Sequence, residues 1–211
     1  MTLIRASTGK YLVQLTDRPA GPDDSRVGQA VLFGLVAVLV LLLVGVAYLF
    51  NGLVRRRNRV DATWSDVDVL LKRRHDLVPN LVASVQGYAA HESATLQAVT
   101  AARAAAISAS GPQNAGAAEA QLTQGVRSLF AVAEAYPQLK ASAAYIDLQR
   151  KLTETEDGLE HARQFYNDSV YGYNNAVQTL PGALVAGALG FRTRQFFQAT
   201  AAEQASLAVR P

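Results

Sequence analysis

The hydrophobic pattern of the chain changes character twice. Between Arg26 and Arg55 there are 28 consecutive residues without a charge. At about 1.5 Å of rise per residue, a helix of that length reaches roughly 42 Å, against about 30 Å for the hydrocarbon core of a bilayer. The run therefore predicts a single tilted transmembrane helix over residues 27–54. A cleavable signal peptide fits poorly, because both the run and the region before it are too long and Val46-Ala47-Tyr48-Leu49-Phe50 lacks a small-residue cleavage pattern. The core helix of a soluble protein rarely goes so far without a charge.

From Val60 onward the period becomes seven. One row reads Val60, Val67, Arg74, Leu81, Tyr88, Thr95; its partner row reads Trp64, Leu71, Val78, Val85, Glu92, Val99. Most of these positions are apolar or aromatic, which marks the core-facing stripe of a long helix. Pro79 interrupts it, and the pattern allows either a kink in one helix or a turn between two, with Asp76 as N-cap. Ala101–Ala106 is strongly helix-forming, whereas Ser108–Gly116 (SASGPQNAG) reads as a breaker-rich loop. A further helix is expected over about Ala117–Ala135, with Leu122, Val126, Leu129, Phe130 and Ala133 on one side. Tyr136-Pro137 makes a corner. Then Tyr145, Leu152, Leu159, Tyr166 and Tyr173 recur every seven residues, predicting roughly 50 Å of continuous helix. Leu180-Pro181-Gly182 stops it. The apolar stretch Ala183–Phe191 is too short to span, so it folds back on the helices, lies on a membrane surface or meets a partner. No strand pattern appears.

The location of charge gives the span a direction. Arg55, Arg56, Arg57 and Arg59 seal its far side, whereas Arg18 and Arg26 on the near side are partly offset by Asp17, Asp23 and Asp24. Positive charge stays on the cytoplasmic face, so the N-terminus is expected outside and the remainder inside. These arginines and Lys72–Arg74 hold seven of the twenty basic residues; the rest of the chain carries thirteen basic against seventeen acidic groups. The basicity is thus juxtamembrane, with the anionic inner leaflet as its partner, and nucleic acid is not expected.

Catalytic and metal-binding patterns are missing. The chain has no cysteine. None of its three histidines is preceded by a glutamate at the spacing of di-iron helical bundles, and phosphate loops and serine nucleophile elbows are absent. Asp157 and His161 share a helical face but need further ligands. No cofactor or metal and no enzymatic activity are expected. What remains is a set of polar groups beside the apolar stripes: Asp61, Asp68, Arg74, Asp76, Asn80 and Glu92, with Glu134, Arg163 and Asn174 further on. The first choices for a polar cluster fixing helix register, or else binding a ligand, are Asp61, Asp68, Arg74 and Asp76. Trp64, Tyr88, Tyr145, Tyr166 and Tyr173 sit at core spacing.

The segments RNRVDATWSDVD (57–68) and LKRRHDLVPNLV (71–82), followed by Gly87-Tyr88, His91-Glu92, Glu134–Lys140, Tyr166-Asn167, Tyr173-Asn174 and Gly190-Phe191, resemble the LemA family. The resemblance covers nearly everything from Phe50 to Phe197 and implies a bacterial inner-membrane protein with a cytoplasmic helical bundle. It supplies no catalytic residues, and the N-terminal tail is longer than the family pattern leads one to expect. The expected fold is all-α: an external tail (1–26), a transmembrane helix (27–54), an antiparallel four-helix bundle with long helices (55–178) and a C-terminal tail with a short amphipathic segment (179–211). The expected role is that of a membrane-anchored interaction or scaffold protein that holds protein partners or copies of itself at the cytoplasmic face. The alternative is a lipid-engaging or membrane-shaping oligomer, with Phe191–Phe197 gripping the bilayer.

Overall fold

The structure is a computed structural model, which describes the backbone of residues 23–197 and the side chains of residues 26–197. The expected tail over residues 1–26 lies mostly outside that range, as does the end of the C-terminal tail. The described residues are helical, with no strand among them: α1 (Asp23–Gln86), α2 (Ser93–Ser108), α3 (Pro112–Glu134), α4 (Pro137–Lys140), α5 (Ala143–Gln178) and α6 (Gly182–Ala186). The all-α expectation holds.

The chain divides into two compact units, Met1–Ala47 and Tyr48–Pro211. In the first, the described residues are the opening of α1. Every described side chain there is exposed, Phe33 by 71% and Leu41 by 70%. A core helix would bury such residues, so α1 contains a stretch that is long and apolar enough to cross a membrane and is not covered by protein.

In the second unit, α1 packs with α2, α3 and α5 around two apolar clusters. One gathers Val78, Leu81 and Val85 of α1 with Leu96, Val99, Leu122 and Leu129, closed by Tyr145 and Leu152 of α5. The other joins Leu53, Val60 and Val67 to Leu159, Tyr166 and Tyr173, and to Phe191 and Phe197 beyond α6. Contacts between α1 and α5 run in opposite chain directions: Arg56 bonds the carbonyl of Gly172, Trp64 packs on Tyr166 and Arg74 meets Glu156. Heptad spacing placed Val60, Val67, Val78, Leu81, Val85, Val99 and the row from Tyr145 to Tyr173, because a repeat of seven keeps one face against its neighbour for many turns; Leu53, Leu96, Phe191 and Phe197 lie outside those rows.

Four local expectations are settled or corrected. Pro79 lies inside α1, so the segment around it is one helix and not a turn. The turn falls later, at Gly87–Glu92, and it shifts the phase: Tyr88, expected in the core, is 47% exposed, and Ala89 is buried instead. The loop after α2 is shorter than Ser108–Gly116, since α3 begins at Pro112. A proline in the first turn has no intrahelical N–H bond to lose and its fixed φ suits the helix, so the residue read as a breaker is a starter. The apolar stretch after α5 folds back on the helices. Gly182 is required there, because a Cβ on it would stand 2.0 Å from the carbonyl oxygen of Ala176. Gly190, with φ +75°, turns the chain toward Phe191.

Candidate functional site

Between the two apolar clusters lies a polar layer. Arg74 occupies a core position of α1 and is 3% exposed; Glu119 of α3 is 4% exposed. Arg74 Nη1 donates to Glu119 Oε2 at 3.0 Å, and its Nη2 donates to Thr123 Oγ1 at 2.8 Å and lies 3.2 Å from Glu156 Oε2 of α5. The second oxygen of Glu119 stands 2.5 Å from His75 Nε2. One guanidinium and one carboxylate thus tie α1, α3 and α5 together at a single level. A buried ion pair survives because each hydrogen-bonding group is matched, and no buried side-chain nitrogen or oxygen among the described residues is left without a partner. Its buried atoms are all matched, and Glu156 at its edge remains about half exposed.

Of the four residues expected to form a register cluster, the structure puts only Arg74 in this layer. Asp61 faces outward and pairs with Arg194 at 3.0 Å. Asp68 pairs with Lys72 one turn on, and Asp76 is exposed. Glu119 was not singled out by sequence, although a signal existed: it continues the stripe of Leu122, Val126, Leu129 and Ala133 at helical spacing and is the one charge on it. Asp157 and His161 do not form a side-chain pair, since His161 Nδ1 bonds the backbone carbonyl of Asp157. No grouping of three metal-ligating side chains occurs among the described residues.

The second constellation is a strap. Residues 193–197 run extended across α5, held by two asparagines seven residues apart. The Asn174 carboxamide accepts from the N–H of Arg194 and donates to its carbonyl, at 2.8 and 2.9 Å. Asn167 does the same for Phe197, at 2.9 and 3.1 Å. Tyr166 donates its hydroxyl to the carbonyl of Gln195 at 2.8 Å, and burial pushes its pKa up to about 12. Phe197 is buried against Trp64, with Arg163 over its ring. Asn167 with Tyr166, and Asn174, are therefore two clamps on the strap. The engaged Asn167 amide also leaves the Asn167-Asp168-Ser169 sequon without a free acceptor. Phe191 and Phe197, expected to grip a bilayer, are buried in the core instead.

At the end of the unit where α1 meets the close of α5, an open groove of about 1230 Å³ runs between them. Its floor is apolar at Leu49, Ala176 and Pro181, and Arg55, Arg56 and Arg59 line one side. The four arginines of the basic collar, Arg55, Arg56, Arg57 and Arg59, are all exposed. Two also hold the fold: Arg56 through the carbonyl of Gly172 and Arg57 through the ring of Phe191, 5.6 Å away.

A model of the LemA family matches residues 63–210. Among characterised proteins the chain is similar to two magnetosome proteins MamQ of Paramagnetospirillum magneticum, each 25% identical over 89% of this chain and 78% of their own length. Magnetosome protein MamQ of Magnetospirillum gryphiswaldense is 23% identical over 89% of this chain and 77% of its own.

Proposed function

We propose that this chain, which belongs to the LemA family, is a membrane-anchored helical scaffold whose role is to hold protein partners, or copies of itself, at the cytoplasmic face of the inner membrane. The observation that carries this reading is α1 itself. One helix, Asp23–Gln86, contains both the exposed charge-free run and the stripe that builds the core. The anchor and the first helix of the domain are the same element. Excess arginine directly after the run sets the orientation, N-terminus outside and domain inside. A non-catalytic role accords with the buried Arg74–Glu119 pair, whose charges are spent on each other.

Cross-linking in intact membranes tests the reading. A scaffold yields specific partner adducts or a ladder of self-adducts that disappears when the domain is denatured before cross-linking. Neither product under several chemistries would contradict it. A second reading, engagement of lipid by the domain, is supported by the arginine-lined groove.

A further inference from the structure

Phe191 and Phe197 are buried, yet the base of the second unit is strongly apolar on its outside. Leu180 is 74% exposed, Leu184 75% and Leu189 41%. The chain carries no charge between Asp168 and Arg192, so no charged side chain in this segment resists transfer out of water. Its place in the fold is fixed by contacts with α1. Phe191 packs edge-on against Phe50 with centroids 5.7 Å apart, Ala186 and Phe191 share a cluster with Leu53, and Gly182 borders the groove with Leu49 and Gly52. Residues 180–191 therefore stand beside the last two turns of the charge-free run. Those turns rise about 11 Å, enough to include the interfacial zone of roughly 5–8 Å on one side of a bilayer.

Resting on the reading of that run as a span, we infer that Leu180, Leu184 and Leu189 are seated in the same leaflet, as a second, interfacial membrane contact of the domain. A soluble face would leave the apolar surface of three leucines in water. The bilayer is the occupant the charges favour. Arg55, Arg56 and Arg59 line the groove that Leu180 borders, against Asp66 and Asp168, and Arg192 follows Leu189, a net cationic rim that complements anionic headgroups. A second copy meeting this face symmetrically would oppose arginine to arginine. Amphipathic segments of this kind sink their apolar side roughly 5–10 Å into the boundary between headgroups and acyl chains.

The chain has no cysteine, so single probes can be placed on the full protein in liposomes of phosphatidylcholine with phosphatidylglycerol. Leu184→Cys carries an environment-sensitive nitrobenzoxadiazole dye; Val40→Cys reports the span and Gln138→Cys the opposite end of the domain. The Leu184 probe is expected to emit to the blue of the Gln138 probe and to lose about half its intensity to lipids bearing a shallow nitroxide. A quenched Val40 probe beside a Leu184 probe that behaves like Gln138 overturns the inference and leaves the span standing. If Val40 is not quenched either, the span falls and this contact falls with it. A blue-shifted Leu184 probe that lipid nitroxides do not quench, with disulfide-linked dimers forming when the dye is omitted, overturns it in favour of a protein occupant.

Discussion

Arg103 Nε of α2 donates a 2.7 Å hydrogen bond to the carbonyl of His75 in α1, the very carbonyl that Pro79 leaves without a partner. In an unbroken helix the N–H of residue 79 would take it, and proline has none. α2 thus completes the ladder of α1 where the sequence breaks it, which is how Pro79 lies within a helix of 64 residues.

Replacing Arg103 by methionine keeps the stem and removes the donor, and it is expected to cost about 1–3 kcal/mol in denaturant unfolding. Pro79→Ala supplies an N–H for the same carbonyl. The Arg103→Met penalty should therefore shrink by at least about 0.5 kcal/mol in the Pro79→Ala background. Equal penalties in both backgrounds would show that the bond does not compensate for the proline.

In the polar layer, the two single variants and the double should diverge. Arg74→Met leaves Glu119 buried with His75 alone, and Glu119→Met leaves Arg74 without its buried carboxylate; each should lose about 3–5 kcal/mol. Arg74→Met with Glu119→Met together should lose less than the sum, because no unpaired charge remains. Additive losses in thermal unfolding would mean that the two residues act independently.

Three tyrosines make the fold sensitive to base. Burial raises the pKa of Tyr166 to about 12 and also raises those of Tyr145 and Tyr173. The folded state holds these protons more tightly than the unfolded chain, whose tyrosines titrate near 10. Their contribution is complete below pH 10 and is lost as pH climbs toward 12. Unfolding curves taken across that window, read with tyrosinate absorbance, should show stability falling. Tyr166→Phe should flatten the fall at the cost of the bond to Gln195, and an unchanged slope would remove Tyr166 as a cause.

The strap gives a local readout. Asn167→Ala removes both bonds to Phe197 and Asn174→Ala both bonds to Arg194. Each should speed tryptic cleavage at Arg192 or Arg194 by roughly tenfold, equivalent to about 1.4 kcal/mol of local opening. Global stability should fall less in Asn174→Ala than in Asn167→Ala, because Phe197 is buried and Arg194 is exposed. Unaltered cleavage in both variants would show that the clamps do not restrain the strap.

Sequence periodicity carried the helices and much of the core, since burial along one face of a long helix repeats every seven residues, as from Tyr145 to Tyr173. It also flagged Arg74, a cation on an apolar row. Glu119 carried the same kind of signal on the α3 stripe, but the helix was expected to begin only two residues earlier, at Ala117, because Pro112 was read as a breaker. The strap was out of reach for a different reason. A carboxamide that bonds a backbone twenty or thirty residues away leaves no period in the sequence, so nothing marked Asn167 and Asn174 as the residues that hold the strap. Burial of Phe191 and Phe197 was equally hidden, because the apolar stretch alone does not say whether protein or lipid covers it.

The central claim, a single span that puts the domain in the cytoplasm, is tested most directly by cysteine labelling in whole cells of the otherwise cysteine-free chain. With any outer membrane opened, Ser7→Cys should react with a membrane-impermeant maleimide, and Ala141→Cys, on the exposed surface of the domain, should react only after the inner membrane is broken. Labelling of Ala141→Cys in cells with an intact inner membrane would contradict the account.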